Sequence, residues 1–311
     1  MEQFRTELPI TPAPSIDHGM MILTTGSCFS DNIGQKLSES KFNASVNPLG
    51  ACYNPVSIHK GLMMTKPDDD LFVESQGTWR HFDLHSKFSG GSKDEVRDVI
   101  GKQLVRRKSE VVVITYGTSW VYKHRRTGSI VANCHKRPQS EFEKVLLSVD
   151  DVVKSFAELR KSIDQRVILT LSPVRHVKDT LELNSVSKSV LRHAIYEIQN
   201  SFKGVDYFPA YEIMMDDLRD YRFYEADMIH PSEVAIDYIW EKFGERFFSK
   251  ESRGLTERWE KIRRSMNHRV FNEGTEQHKK FVNGVLKELE EISPVLDVGR
   301  EIEEMKRRLH E

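Results

Sequence analysis

Ile22-Leu23-Thr24-Thr25-Gly26-Ser27-Cys28-Phe29-Ser30-Asp31-Asn32-Ile33-Gly34-Gln35-Lys36-Leu37 is the stretch from which the rest of the chain is read. A short apolar run ends in Gly-Ser, and a polar stretch with Ile33 and Leu37 four apart follows at once. This is the pattern of a strand, a tight turn and a helix start, and it predicts a strand over 20–27 and a helix over 31–40. Such a turn presents Ser27 at the carboxyl end of a strand, where open α/β sheets place ligands. It also sets Ser27 near the positive end of a helix, where free backbone N–H groups hold anions. A serine there is either a nucleophile, given a base within reach, or an N-cap, a role equally open to Ser30 and Asp31. Cys28 as the nucleophile requires a different orientation of the turn.

Downstream, strands and helices alternate. Phe42 to Val46 reads as a short second strand ending in Asn47-Pro48-Leu49-Gly50, and Asn54-Pro55 is a cap and first-turn pair opening a helix to about Met64. Residues 65–92, with Asp68-Asp69-Asp70, His81, His85 and Gly90-Gly91, break the pattern and read as an insertion carrying a β-hairpin. Ser92-Lys93-Asp94-Glu95 matches a capping box for a helix to about Lys108. Val111-Val112-Val113-Ile114-Thr115-Tyr116 is the continuous β-branched run of a strand buried on both faces. It ends in Gly117-Thr118-Ser119-Trp120, and a hairpin at Thr127-Gly128 leads into Val131-Ala132-Asn133-Cys134-His135. Ser140 and Glu143 suggest a second capping box and a helix to about Ile163. Val167 to Leu171 is another buried strand, followed by Ser172-Pro173-Val174-Arg175-His176 and a helix over 184–202. Val205 to Phe208 is a last short strand. Asp227-Met228-Ile229-His230-Pro231-Ser232 then leads into a helix to about Phe248. Strand and helix repeated about five times argue a mostly parallel sheet with helices on both faces.

Residues 251–311 differ. They are charged, helical in pattern and broken near Gly274 and at Ser293-Pro294, so they read as two or more helices packing on the α/β domain or, as a homo-oligomer contact, on another subunit. The domain organisation is therefore 1–250 for the α/β domain, with its insertion at about 65–92, and 251–311 for a helical C-terminal extension.

The 311 residues are 38% hydrophobic and 30% charged, a globular composition with a heavily charged surface. The formal net charge of -1 offers no basic field for nucleic acid or an anionic membrane. No apolar run has the length of a membrane span, and the acidic, Pro-marked N-terminus lacks the basic-then-apolar order of a signal peptide. A cytoplasmic location is the expectation. Three cysteines, none in a C-x-x-C, argue against a disulfide framework. Cys28, Cys52 and Cys134 each sit beside a motif, but no ligand spacing supports a metal site.

Asp227 and His230 are the most informative pair. A carboxylate three residues before a histidine bonds the imidazole Nδ1–H and leaves Nε2 to take a proton from a serine. The alternative is structural, with His230 capping the helix opened by Pro231.

Gly26-Ser27-Cys28-Phe29-Ser30 resembles the motif of the GSCFA-domain family, a branch of the SGNH or GDSL-like hydrolase superfamily. The blocks Asn47 to Gly50, Gly117 to Tyr122, Ala132 to Lys136, Ser172 to His176 and Asp227 to Ser232 are similar to that family's blocks, and the resemblance covers roughly residues 20–248. It implies a three-layer α/β/α, flavodoxin-like fold of SGNH-hydrolase type, with a mostly parallel five-stranded sheet. By the same resemblance Ser27 is the nucleophile, Asp227 and His230 are the acid and base, and backbone N–H groups at Ser27 and Gly50 serve the oxyanion hole. The superfamily's third block carries Gly-x-Asn, whereas here Gly117 is followed by Thr118 and Ser119. Asn133 is the candidate replacement donor, with Thr118 and Ser119 as alternatives. Loss of one such donor typically costs about 2.7–4 kcal/mol of transition-state stabilisation. Thr118, Ser119, His85 and Arg175 are candidate pocket-lining residues, Arg175 suiting a carboxylate or phosphate. The function implied is an esterase acting on a small-molecule or carbohydrate ester without metal or organic cofactor. The altered third block motivates the alternative, a non-catalytic or acyl-transferring member of the fold that binds a glycan or protein partner.

Overall fold

The computed structural model describes residues 7–105, 109–267 and 275–310. In chain order its elements are β1 (Met21–Gly26), α1 (Cys28–Glu39), β2 (Asn43–Val46), α2 (Pro55–Met63), β3 (Phe72–Ser75), β4 (Thr78–His81), α3 (Lys93–Val105), β5 (Val111–Tyr116), β6 (Trp120–His124), β7 (Ile130–Val131), β8 (Phe142–Leu146), α4 (Val149–Ser162), β9 (Arg166–Leu171), α5 (Leu181–Ser201), β10 (Val205–Phe208), α6 (Ala210–Glu212), α7 (Glu233–Phe247), α8 (Lys250–Asn267), α9 (Glu276–Ile292) and α10 (Gly299–His310). Five strands form one sheet in the order β10-β9-β5-β1-β2, and every pair in it is parallel. This is the flavodoxin-like order, whose switch point lies between β1 and β5.

The β-branched runs explain the layering. Every residue of β5 is buried. Val111 and Val113 point to the side covered by α1 and α7, where Phe29, Ile33, Leu37, Phe243 and Phe247 pack. Val112, Ile114 and Tyr116 point to the side covered by α2, α4 and α5. Each fully buried aliphatic or aromatic side chain contributes roughly 1.5–3 kcal/mol, so a strand apolar on both faces is stable only between two helical layers. The fold is a three-layer α/β/α sandwich.

At the switch point β1 and β5 approach closely. Gly26 has φ 133°, and a Cβ there would lie 2.2 Å from the Thr115 carbonyl oxygen. Only glycine fits this backbone and this gap.

Two expectations require correction. The helix predicted to start at Ser140 begins instead at Val149, where Ser148 and Asp151 form the capping box. Phe142 to Leu146 is strand β8, because it pairs along its length with β6. The first helix starts at Cys28 rather than at Asp31, which makes Ser27 its cap residue and Cys28 its first turn.

Residues 65–92 carry the hairpin β3–β4 and join α3 in a small core of Phe72, Leu84, Phe88, Val96 and Ile100. A second antiparallel sheet, β7-β6-β8, follows β5. Helix α3 is described as far as Val105; residues 106–108, the end of its predicted span, lie outside the described residues, as does Gly274.

Helices α8, α9 and α10 share their own apolar cluster, including Trp259, Ile262, Leu286, Leu289 and Met305. They pack on the same chain. The Trp259 indole N–H donates to the Glu39 carbonyl at 2.6 Å, Lys41 pairs with Glu301 at 2.6 Å, and Arg263 pairs with Glu39 at 3.1 Å. Among the described residues no helix is long and apolar enough to cross a membrane.

Gly26→Ala is expected to lower the unfolding free energy by about 3 kcal/mol or more, read from urea melts. Gly101→Ala, where an added Cβ meets nothing within 4 Å, is the control and stabilises α3 by up to about 1 kcal/mol. Trp259→Ala is expected to cost about 3–5 kcal/mol in the same measurement.

Candidate active site

The carboxyl ends of β1, β5 and β9 converge with three loops. The first is the turn into α1. Ser27 is its cap in extended backbone but makes no side-chain capping bond. Phe29, Ile33 and Leu37, at i, i+4 and i+8, sit in the core and set the rotation of the helix. Ser27 is 0% exposed, and its Oγ is buried without a hydrogen-bond partner among the described residues. Its neighbour Cys28 is half-buried and lines a groove of about 650 Å³. The expectation that Ser27 presents its hydroxyl at this face is therefore not what the folded chain displays. Cys28, in the first turn of α1, lines the groove instead.

The second loop is 47–53. Asn47 is buried, with φ 38°. Its Oδ1 accepts the Gly26 N–H at 2.9 Å, and its Nδ2 donates to Asp31 Oδ1 at 2.7 Å. The residue ties the ends of β1 and β2 to the first turns of α1. Sequence reasoning passed over it, although its position after a strand and before a proline was the available signal. Gly50 has φ 80°, and a Cβ there would lie 2.3 Å from His85 Cβ. Both expected backbone oxyanion donors are already engaged. The Ser27 N–H donates to Thr115 O at 3.1 Å and the Gly50 N–H to Asn47 O at 2.7 Å. Gly50 and His85 line a void of about 20 Å³ apart from the groove, so neither takes its expected place. Ser119 is also displaced from the site: it is 0% exposed and bonded to Ser187.

Asn133, Thr118 and Arg175 do line the groove, together with Tyr53. The Asn133 Oδ1 accepts the His135 N–H at 2.8 Å, which orients the amide on a tight loop. The Arg175 guanidinium stacks over Tyr224 at 4.0 Å. The wall opposite α1 is built by β6, β8 and the loop after β7, including Trp120, Asn133 and Lys144. No residue of 65–92 lines it, and the β6–β8 sheet shapes this side of the groove.

The third loop is the turn 225–231. Asp227 Oδ2 meets His230 Nδ1 at 2.6 Å. Asp227 Oδ1 accepts the N–H groups of Ile229 at 2.8 Å and His230 at 3.0 Å. These bonds, the one to the imidazole first, hold the carboxyl down at about 2. Met228 takes φ 58° at the apex, and Arg175 N–H donates to Ile229 O at 3.2 Å, docking the turn on the end of β9. Capping of α7 falls to Ser232, whose Oγ accepts the Ala235 N–H at 3.4 Å. His230 is thus not consumed as a cap, and it opens on the same groove as Cys28.

Two more groups surround this point. His176 Nε2 is buried without a hydrogen-bond partner among the described residues, and burial pushes the ring down to about 4. Lys188, 2% exposed, donates to Gly117 O at 2.8 Å and Ser172 O at 2.7 Å, binding the ends of β5 and β9 together. Burial lowers it to about 7, opposed by the nearby Cys28 thiolate form. The sequence signal for Lys188 was a cation in register with the apolar stripe Leu191, Ile195 and Ile198. Because an unfolded lysine keeps its ordinary 10.5, the unfolded chain binds a proton that the folded chain lacks between the two values. The contribution of this site to stability therefore rises with pH from about 7 to 10.5. Urea melts across that range are expected to show the wild-type stability gaining on Lys188→Met as pH increases.

Several solved structures resemble the chain at the level of a weak overall likeness. A family 3 carbohydrate esterase of Clostridium thermocellum is 13% identical, with 76% of this chain and 98% of that chain covered at a TM-score of 0.33. A carbohydrate esterase family 3 protein from Talaromyces cellulolyticus is 10% identical, covering 76% and 99% at 0.34. A Corynascus thermopiles (Myceliophthora fergusii) carbohydrate esterase family 2 enzyme with a carbohydrate binding domain is 13% identical, covering 80% and 68% at 0.35. No curated protein matches the sequence. The family models are more direct: that of the GSCFA family matches residues 21–243, and that of the GSCFA domain protein C-terminal domain matches residues 259–311. The groove, its Asp–His turn and the Gly26-Ser27-Cys28-Phe29 turn that faces them thus stand in a chain that belongs to the GSCFA family.

Proposed function

We propose that the chain is an acyl-transfer hydrolase, an esterase of a small-molecule or carbohydrate ester, whose proton-handling machinery is the Asp227–His230 pair. The observation that carries this reading is the 2.6 Å bond between Asp227 Oδ2 and His230 Nδ1 at the edge of a groove that also receives the start of α1. With Nδ1 held by a carboxylate, Nε2 is the atom left to accept a proton. Asp227, bonded three times, keeps the ring in one tautomer and stabilises the imidazolium formed during the reaction. The nucleophile comes from the Ser27-Cys28 turn, where the N-terminal end of α1 favours developing negative charge. Asn133 and Tyr53 line the groove and supply the side-chain oxyanion donors in this reading; Thr118, also in its lining, has its hydroxyl bonded to Ser187 at 3.1 Å and accepting the Trp120 N–H at 3.0 Å. Arg175, placed over the Tyr224 ring at 4.0 Å, suits a carboxylate or phosphate on the substrate.

One observation favours a second reading, a non-catalytic member that binds a glycan: the buried Ser27 hydroxyl. Assay with p-nitrophenyl acetate and acetylated sugars separates the two. Hydrolysis by wild type is expected, with His230→Ala reduced about 10²–10⁴-fold; a folded wild type without turnover fits the binding reading. The pH profile gives a sharper test. The Asp227 carboxylate is fully charged above its ordinary 3.8 and loses its charge only as pH falls through about 2. Wild-type kcat/KM is therefore expected to show no loss from this carboxyl as pH falls to its ordinary 3.8. Asp227→Asn leaves the imidazole without its anionic partner and is expected to lower kcat/KM with little change in KM. Arg175→Ala is expected to raise KM for acidic substrates with little change for neutral ones.

A further inference from the structure

We propose that Cys28, and not Ser27, is the nucleophile: Cys28 lines the groove that His230 also lines, whereas the Ser27 hydroxyl is buried and Ser27 does not line it. This deepens the acyl-transfer reading and rests on it.

The placement follows from the rotation of α1. Phe29 is 0% exposed, Ile33 2% and Leu37 0%, and one residue of an α-helix turns about 100°. With Phe29 driven into the core, the residue before it sits at the edge of the helix, over the carboxyl end of the sheet. The turn into the helix is tight: a Cβ at Gly26 would lie 2.2 Å from Thr115 O, and the Ser27 N–H donates to that same oxygen at 3.1 Å. Swapping the roles of Ser27 and Cys28 would require turning the whole helix against its own core contacts.

The surroundings of the sulfur suit a nucleophile. At the start of α1 the positive end of the helix favours a thiolate. Lys188 supplies a nearby positive charge, while burial and Asp31 favour the thiol, and together these latter two prevail. The resting group is a thiol that needs a base, and His230 shares its groove. The other two thiols are poorer candidates. Cys52 is pushed up by burial to about 12 and Cys134 to about 11, and neither is at a helix start.

In the reaction, His230 Nε2 takes the thiol proton as Sγ bonds to the ester carbonyl carbon. The tetrahedral oxyanion collapses, the bond from carbon to the alcohol oxygen breaks, and the departing oxygen takes the proton from the imidazolium. The acyl group is now a thioester on Cys28. Water then gives a proton to His230 as its oxygen bonds to the carbonyl carbon, the sulfur–carbon bond breaks, and the thiolate recovers the proton. No oxidant, reductant or metal enters the balance.

The test is acid-quenched intact mass and peptide mapping of the full chain after exposure to p-nitrophenyl acetate, on wild type, Ser27→Ala, Cys28→Ala and Cys28→Ser. The expected result is a single acetyl group mapped to Cys28, released by neutral hydroxylamine as thioesters are, retained in Ser27→Ala and lost in Cys28→Ala. Pre-treatment with iodoacetamide is expected to alkylate Cys28 and abolish both the adduct and turnover. An acetyl group mapped to Ser27, resistant to neutral hydroxylamine and surviving in Cys28→Ala, overturns the inference while sustaining the acyl-transfer reading. An adduct on Cys134 or Cys52 overturns it as well. No adduct and no turnover on folded wild type overturns both readings together. Because the mapping is done on wild type, a variant that fails to fold does not weaken the test.

Discussion

The close crossing of β1 and β5 at Gly26 governs the architecture around it. Two parallel strands come near enough that a single methyl group on Gly26 would strike the Thr115 carbonyl oxygen. The Gly26 N–H, beyond the last β1–β2 pair, is taken by the side chain of Asn47, and Asn47 in turn holds Asp31. One tight contact thus sets the path of three segments: the exit of β1, the loop after β2 and the first turns of α1. The groove opens at the same point because this is where the strand order reverses and the two neighbouring helices diverge.

Around that anchor, polar groups are divided by solvent access. Asp227 and His230 are partly exposed, and their pairing is directional through three hydrogen bonds to one carboxylate rather than through burial. Lys188 is the opposite case, a cation removed from water and satisfied by two strand-end carbonyls. Burying such a group costs free energy unless it is hydrogen-bonded. Here it closes the gap left where β5 and β9 run out of ladder partners.

The sheet was legible in the sequence because its strands are continuous β-branched runs, and such runs have one stable environment. The Asp227–His230 pair was legible because both residues lie on one short turn, so spacing alone brings them together. The start of α1 was not. Ser27, Ser30 and Asp31 are all good caps, and propensity does not separate a start at Cys28 from one three residues later; the core positions of Phe29 and Ile33 do. The strand β8 was hidden by a Ser140–Glu143 pattern that matches a cap, and it is the long-range pairing with β6 that overrides it. Gly50 and Ser119 were misplaced for a related reason. Which backbone N–H groups remain free depends on contacts between segments far apart in sequence, and the composition of a single block carries no trace of them.

Helix α1 is secured at both extremities. Near its beginning Asp31 is gripped by Asn47, and at its far end the last carbonyl, that of Glu39, is closed off by the indole of Trp259 from the C-terminal helices. A rod of 12 residues spans about 18 Å, so the two ties lie nearly its whole length apart. The C-terminal helices, through Trp259, therefore act on the same element that carries Cys28 to the groove, and the structure couples the helical extension to the cleft through α1.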